Sequence, residues 1–270
     1  MQVFKEHCTY AILDANIAQM EDTAKLLREL ISTSGMSPHH VAIRAGVSPS
    51  TVSRALRGQV EPGLTTLREI ALACGIELNV VPRRVSDRFA AMAARSMLED
   101  GYVVPVQHKA QVAEWVSRFG RALDITKPVD LVEAAGRASA PLLRTGAVKY
   151  KGDVPLSRLA SSGHASNGPW AISGMPGLTL DSRTTFAPPV TLLWCTDVKI
   201  ASQLIADKRL TRTENNALAS VVLVEAESEM FKDSFEHDGV TFAAPIQIML
   251  DCFGIGGSAA ALARQEVLTW

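Results

Sequence analysis

Cysteine is scarce in this chain of 270 residues: Cys8, Cys74, Cys195 and Cys252 lie far apart and form no C-x-x-C pair. Such spacing points to reduced structural thiols in a cytosol rather than a disulfide framework. Long apolar runs are missing as well, since nothing approaches the roughly twenty consecutive apolar residues of a membrane span. The opening stretch MQVFKEHCTYAILDANIAQ lacks the basic-then-apolar order of a secretion signal. A cytoplasmic chain with no membrane contact is therefore expected. Charge of one sign is absent too: Lys and Arg total 27 against 28 Asp and Glu, a net −1, which excludes a generally basic nucleic-acid coat. No GxSxG, HExxH, Walker loop or GxGxxG occurs. The six histidines supply one adjacent pair, His39-His40, whereas a metal pair on a helix would want i, i+4 spacing. No metal and no cofactor are expected.

What is present is apolar substance and one dense local pattern. At 270 residues and 47% hydrophobic, the chain can bury substantial cores and is long enough for at least two domains. The pattern is Ser37 to Gly58, SPHHVAIRAGVSPSTVSRALRG. Val41, Ala42 and Ala45 give an apolar-periodic helix that Gly46 ends, because the turn needs a backbone with φ > 0. Val47 plugs the space before a second helix, which Ser48 caps and Pro49 opens at a position where its missing N–H costs nothing. Val52, Ala55 and Leu56 share the inner face of that helix. Ser50, Thr51, Ser53, Arg54 and Arg57 are left outward, and short hydroxyls with arginines suit a helix that enters the major groove. The pattern reads as a DNA-binding helix-turn-helix.

The flanks agree. Met20 to Ile31 is amphipathic, with Ala24, Leu27, Leu30 and Ile31 apolar; Leu64 to Cys74 is another such helix, with Leu64, Leu67, Ile70, Ala71 and Ala73 or Cys74 inward and Gly75 as its stop. Helix, helix–turn–helix, Pro/Gly loop and a helix ending in ALACGIEL follow one another across about sixty residues, and this order resembles the Cro/Xre repressor family. GVSPSTVSRAL is also similar to the LacI-type headpiece. The resemblance implies base contacts from Pro49, Ser50 and Arg54, at the front and middle of the second helix. Phosphate contacts then fall to Ser37, His39, Ser48, Thr51, Ser53 and Arg57. Local charge supports the same reading. From Lys25 to Arg95 ten basic residues face five acidic ones, so a basic module sits on a remainder of −6.

After Pro82 the pattern changes. Val85 to Glu99, Lys109 to Leu123 and Pro128 to Leu143 (the last only as far as Pro141) read as helices without a catalytic constellation, followed by a strand at Ala147 to Tyr150. Paired half-sites require a dimer surface, placed in this stretch or in the carboxy-terminal region. Trp115, Phe119 and Leu123, with Val267, Leu268 and Trp270, are the apolar candidates. From Ser161 the chain becomes mixed α/β. A polar Gly-rich loop runs from Ser161 to Pro169, with strands at Val190 to Trp194, Ala219 to Glu225 and Val240 to Ala243. Helices are expected at Lys199 to Ala206, at Pro245 to Phe253 and from a Ser258 cap to Leu268.

The segments PWAISGMPGL and APIQIMLDCFGIGGSAAALARQ resemble AbiEi-type antitoxins of type IV toxin–antitoxin systems, over about Pro169 to Leu268. Such antitoxins mostly carry a winged helix in front, where this chain has an Xre-like module. The same region invites a nucleotidyltransferase reading, with Ile172-Ser173-Gly174 as a phosphate-cradling turn. The following VTLLWCTD then offers only Asp197, and one carboxylate builds no two-metal site; Asp181, Asp238 and Asp251 stand at no motif spacing. The expectation is therefore an α+β multidomain chain. Residues 1–83 form an all-α DNA-binding domain, 84–150 a helical linker or dimerisation segment, and 151–270 an α/β regulatory domain resembling a degenerate nucleotidyltransferase-like fold. It is expected to be no enzyme but a transcriptional regulator that binds a palindromic operator in double-stranded DNA as a homodimer. A toxin or a small-molecule effector is the further partner class, and a divergent nucleotidyltransferase with a DNA-targeting head is the alternative.

Overall fold

The computed structural model describes residues 23–124, 126–180, 190–205 and 209–270. Cys8, Met20 and Asp181 lie outside them. The chain divides into two compact units at Arg83/Arg84.

Among the described residues of the first unit four helices enclose one small core: α1 (residues 23–34), α2 (Pro38–Arg44), α3 (Pro49–Leu56) and α4 (Leu64–Ala73). Leu27, Val41, Ala42, Val52, Ile70 and Ala71 are its buried centre, and Val47, Leu56 and Leu67 pack around them. Leu64, expected inward, is instead 53% exposed. It lies one and two turns from Arg68 and Leu72 on the outer face of α4, because the core-facing positions are Leu67, Ile70, Ala71 and Cys74. Residues 76–87 carry neither helix nor strand.

The second unit is a mixed sheet with helices on both faces; the chain as a whole is α+β. Its helices are α5 (Arg88–Leu98), α6 (Lys109–Ala122), α7 (Pro128–Ser139), α8 (Leu156–His164), α9 (Met175–Leu178), α10 (Val198–Ile205), α11 (Pro245–Ile255) and α12 (Gly257–Val267). The strands are β1 (Val148–Lys151), β2 (Trp170–Gly174), β3 (Thr191–Cys195), β4 (Thr211–Arg212), β5 (Val221–Glu225), β6 (Phe235–His237) and β7 (Val240–Phe242), in the order β4-β1-β5-β3-β2-β7-β6. β3 and β5 run parallel, with Leu193 opposite Leu223; β2 is antiparallel to β3, with Ala171 opposite Trp194. Alternation along β2 assigns the faces: Trp170 lies against Gly163 of α8, and Ser173, three residues on, reaches Asp251 of α11.

Several expectations are corrected here. Ser161 to His164 belong to α8, so the expected loop is reduced to residues 165–169. Leu159 and Ala160, buried one turn earlier, supply the apolar face that the polar run concealed. Ile172-Ser173-Gly174 is no phosphate turn but the buried end of β2. Ser258 lies within α12, which starts at Gly257 after a residue of φ 86°, Gly256, and has no side-chain cap. The helices of 84–150 do not stand apart as a linker: Ala90, Val112, Leu131 and Val132 share one core with Ile172, Leu193 and Leu250. Phe119 and Val267 are 4% and 3% exposed in that same core and are removed as dimer contacts. Trp115 and Leu123 pack against it, which leaves Leu268 and Trp270 exposed.

α11 is nearly all apolar, yet it carries Gln247 and Asp251 one turn apart, both buried. Asp251 Oδ2 accepts from Ser173 Oγ at 2.6 Å and from Trp194 Nε1 at 2.8 Å, and Oδ1 accepts from Gln247 Nε2 at 2.9 Å. Burial outweighs these three donors and the nearby Arg144, pushing the Asp251 carboxyl from 3.8 up to about 6. Burial also raises the thiols of Cys195, to about 12, and of Cys252. With Cys74, both are buried and unpaired, as inert structural thiols are.

A carboxyl whose folded value is raised favours the fold below its unfolded value and loses that contribution as pH climbs through the folded one. The shift corresponds to about 3 kcal/mol. Asp251→Asn should therefore gain stability on the wild type between pH 4 and pH 7 by up to about 3 kcal/mol. Denaturant unfolding followed by tryptophan fluorescence checks this, since Trp115, Trp170, Trp194 and Trp270 all lie in this unit. Parallel pH profiles for the two proteins would refute the assignment.

Candidate nucleic-acid interface

Two caps and one left-handed turn set the geometry of α2 and α3. Ser37 caps α2, its Oγ accepting from His40 N at 3.3 Å and facing His40 Nδ1 at 3.2 Å. Gly46, at φ 64°, then turns the chain: its N–H reaches Ile43 O, and Val47 N–H reaches Ala42 O at 2.9 Å. This pair of bonds satisfies carbonyls that the helix end would leave orphaned, and it needs the conformation that only glycine adopts freely. Ser48 caps α3 from a β-region backbone, accepting from Thr51 N at 3.1 Å. Its hydroxyl also meets those of Ser50 and Thr51, at 2.9 and 2.8 Å. At the far end Gly58, at φ 65°, repeats the turn, with Gln59 N–H on Arg54 O at 2.9 Å, and Arg28 of α1 donates to Leu56 O at 3.0 Å.

With Val52 and Ala55 held in the core, the outer face of α3 follows. Pro49, Ser50, Arg54 and Arg57 are exposed, while Thr51 and Ser53 are half-buried. The two arginines differ in kind. Arg57 is already held, donating to Ser53 Oγ at 2.6 Å and to Gln59 Oε1 at 3.3 Å. Arg54 makes no hydrogen bond or ion pair among the described residues, so its five N–H donors stay available. Ser37 and His39 are exposed at the start of α2. The structure thus brings Ser48, Ser50, Thr51, Ser53, Arg54 and Arg57 onto one short helix and its cap. Ser37 and Ser48 each spend an acceptor site on capping, and both hydroxyls have a further side-chain neighbour, His40 for Ser37 and Ser50 with Thr51 for Ser48. The sequence reading passed over Gln59 and Arg28, which position Arg57 and the end of α3; a polar residue just past the Gly58 stop was the available signal for Gln59.

The spacing, the caps and the exposed face together describe a reading helix presented by a supporting one. Residues 23–83 match the family model of a helix-turn-helix domain. That match covers the first unit alone. No curated protein and no solved structure matches the chain. A helix-turn-helix domain suggests DNA binding.

Removing the Ser48 hydroxyl deprives Thr51 N–H of its acceptor. Ser48→Ala should loosen α3 by about 1 kcal/mol, a roughly fivefold gain in local amide exchange rate. Hydrogen exchange resolved by helix checks it: α3 should accelerate while α7 and α11 stay unchanged.

Proposed function

We propose that this chain is a sequence-specific transcriptional regulator, Xre-like in its head, that represses by binding a palindromic operator as a homodimer. The observation that carries the reading is the exposed face of α3, on which Arg54 has no partner among the described residues and Arg57 is pre-set. Base contact falls to Pro49, Ser50 and Arg54. Phosphate contact falls to Ser37, His39, Ser48, Thr51, Ser53 and Arg57. One such helix reads only a few base pairs, and useful affinity at physiological salt takes two of them about one DNA turn apart. The second unit then supplies the joint between copies and the contact with an effector or partner protein. Its likeness in sequence to AbiEi-type antitoxins makes a toxin one such partner.

The nucleotidyltransferase alternative is the weaker reading. Asp197, the carboxylate it relies on, accepts from Ile200 N at 3.0 Å and so caps α10. Among the described residues no three His, Cys, Asp or Glu side chains are grouped to hold a metal. No helix among the described residues is long and apolar enough to cross a membrane.

Gel-shift series on operator variants test the docking. Arg54→Ala should cost about 1–3 kcal/mol and relax preference at one base pair. Arg57→Ala should weaken all sequences alike and reduce the salt slope by about one. Unchanged affinity and base preference in Arg54→Ala would sink this docking.

The dimer is tested separately, by sedimentation equilibrium on the whole chain and on a fragment ending near Pro82. A dimeric whole chain and a folded fragment that has lost most specific affinity are expected. A monomeric chain that binds no better than the fragment would overturn the role given to the second unit.

A further inference from the structure

Past α4 the first unit ends in a run that has the pattern of a strand and no strand beside it. Residues 76–87 carry no helix, strand, turn or bend, and none of them has a positive φ. Ile76 and Leu78 pack against the core of the first unit, while Glu77 and Asn79 are exposed. That is the alternation of a half-buried strand. Val80 and Val81 then stand 64% and 66% exposed, although β-branched residues suit a sheet. Among the described residues the main chain of 77–86 makes no hydrogen bond to other backbone. A row of free N–H and C=O groups with bare valines is a template for another strand.

A second copy of the same run fits this template, and charge chooses the register. Two-fold pairing of antiparallel strands sets one residue opposite its own copy. With Val80 in that place, Glu77 lies opposite Arg83 of the second copy, and Asn79 opposite Val81, each pair occurring twice. Neither Glu77 nor Arg83 has an ion-pair partner among the described residues, and opposite charges directly across a ladder attract. Pro82 then faces Leu78, in the same class of pair as Val80. Both are non-hydrogen-bonded pairs, where the N–H that Pro82 lacks is not called on. The ladder bonds fall instead on 77, 79, 81 and 83. Centring the pairing on Asn79 or on Val81 would set Glu77 against Val81 or Val85 and lose both charge pairs.

We infer that residues 76–83 pair with the same residues of a second copy as an antiparallel two-stranded ribbon that joins two heads. The inference rests on the homodimer reading, and it adds a joint within the first unit to the one assigned to the second. A lone two-stranded ribbon is marginal in water; here Ile76 and Leu78 tie each strand to a packed core. The Leu78 residues of the two copies stand four positions apart along the ribbon, about 14 Å. The heads therefore lie side by side, as half-sites one DNA turn apart require.

Cysteine cross-linking of the full chain tests the register. No DNA is present, so a failure of DNA recognition is a separate result. Facing residues of a non-hydrogen-bonded pair have Cα atoms about 4.5 Å apart, inside the disulfide range of about 4.4–6.8 Å. The two Val81 residues, offset along the ribbon, stand more than about 7 Å apart and outside it. Val80→Cys should oxidise to a covalent dimer, and the equally exposed Val81→Cys should give about tenfold less. The wild type, whose Cys74, Cys195 and Cys252 are buried, is the blank. In sedimentation equilibrium Glu77→Arg and Arg83→Glu should each weaken self-association about tenfold, and the two together should restore it. A monomeric wild type would overturn the homodimer reading and the ribbon with it. The ribbon alone falls, and the joint in the second unit stands, in either of two cases with a dimeric wild type. One is Val80→Cys cross-linking no better than Val81→Cys. The other is single charge variants that leave association unchanged, or a double variant that does not restore it.

Discussion

The second unit depends on how closely α7 and α11 approach. A Cβ on Gly136 would stand 2.4 Å from Leu250 O, and one on Gly254 would stand 2.6 Å from Pro141 Cδ and 2.8 Å from Gly136 O. The two backbones touch where side chains would otherwise hold them apart, and helices normally pack 8–10 Å between axes according to the residues at the crossing. Because α11 sits this deep, Ile246 to Phe253 are all buried, and the polar edge of Gln247 and Asp251 is pressed onto β2 and β3. The buried carboxylate follows from that crossing. So does the place of Arg144, which leaves the turn after α7 to lie over Trp194. On the outer side Glu133 of α7 pairs with Arg137 and with Arg264 of α12, fixing the last helix to the same support.

Much of the first unit was legible because local chemistry and tertiary demand coincide there. Gly46 and Gly58 occupy left-handed positions, Ser37 and Ser48 accept from backbone N–H groups, and Pro49 opens α3. Each of these is dictated within a few residues of sequence. Leu64 escaped because periodicity alone does not say which of two apolar stripes on α4 meets the core. The free state of Arg54 and the tethered state of Arg57 were also beyond reach, since they turn on rotamers and on Gln59 across a turn.

In the second unit the strands β3, β5 and β7 and the helices α6, α7 and α11 stand close to where apolar runs placed them. What the sequence hid is long-range. β2 is short and its Ser173-Gly174 end reads as a turn, yet it is buried at every position because helices cover both of its faces. α8 was masked by its serines, two of which point away from its buried Leu159 stripe. Asp251 looked idle because its partners, Ser173 and Trp194, are 78 and 57 residues away. Motif spacing searches for local pairs and passes over a site assembled by sheet register.

The entry of the chain into the second unit has a consequence for how such proteins diversify. Ser86 Oγ donates to Ala140 O at 2.9 Å, Asp87 N–H donates to Ala138 O at 2.9 Å, and the Asp87 carboxylate accepts from Phe89 N and from Trp115 Nε1 at 2.9 and 2.8 Å. These two residues therefore belong to the second unit as firmly as any helix does. An exchange of heads by recombination that keeps Ser86 leaves every one of these bonds intact. One that joins two residues later strips the indole N–H of Trp115 and the first turn of α5 of their acceptor. The natural seam for swapping one DNA-reading module for another lies just upstream of Ser86.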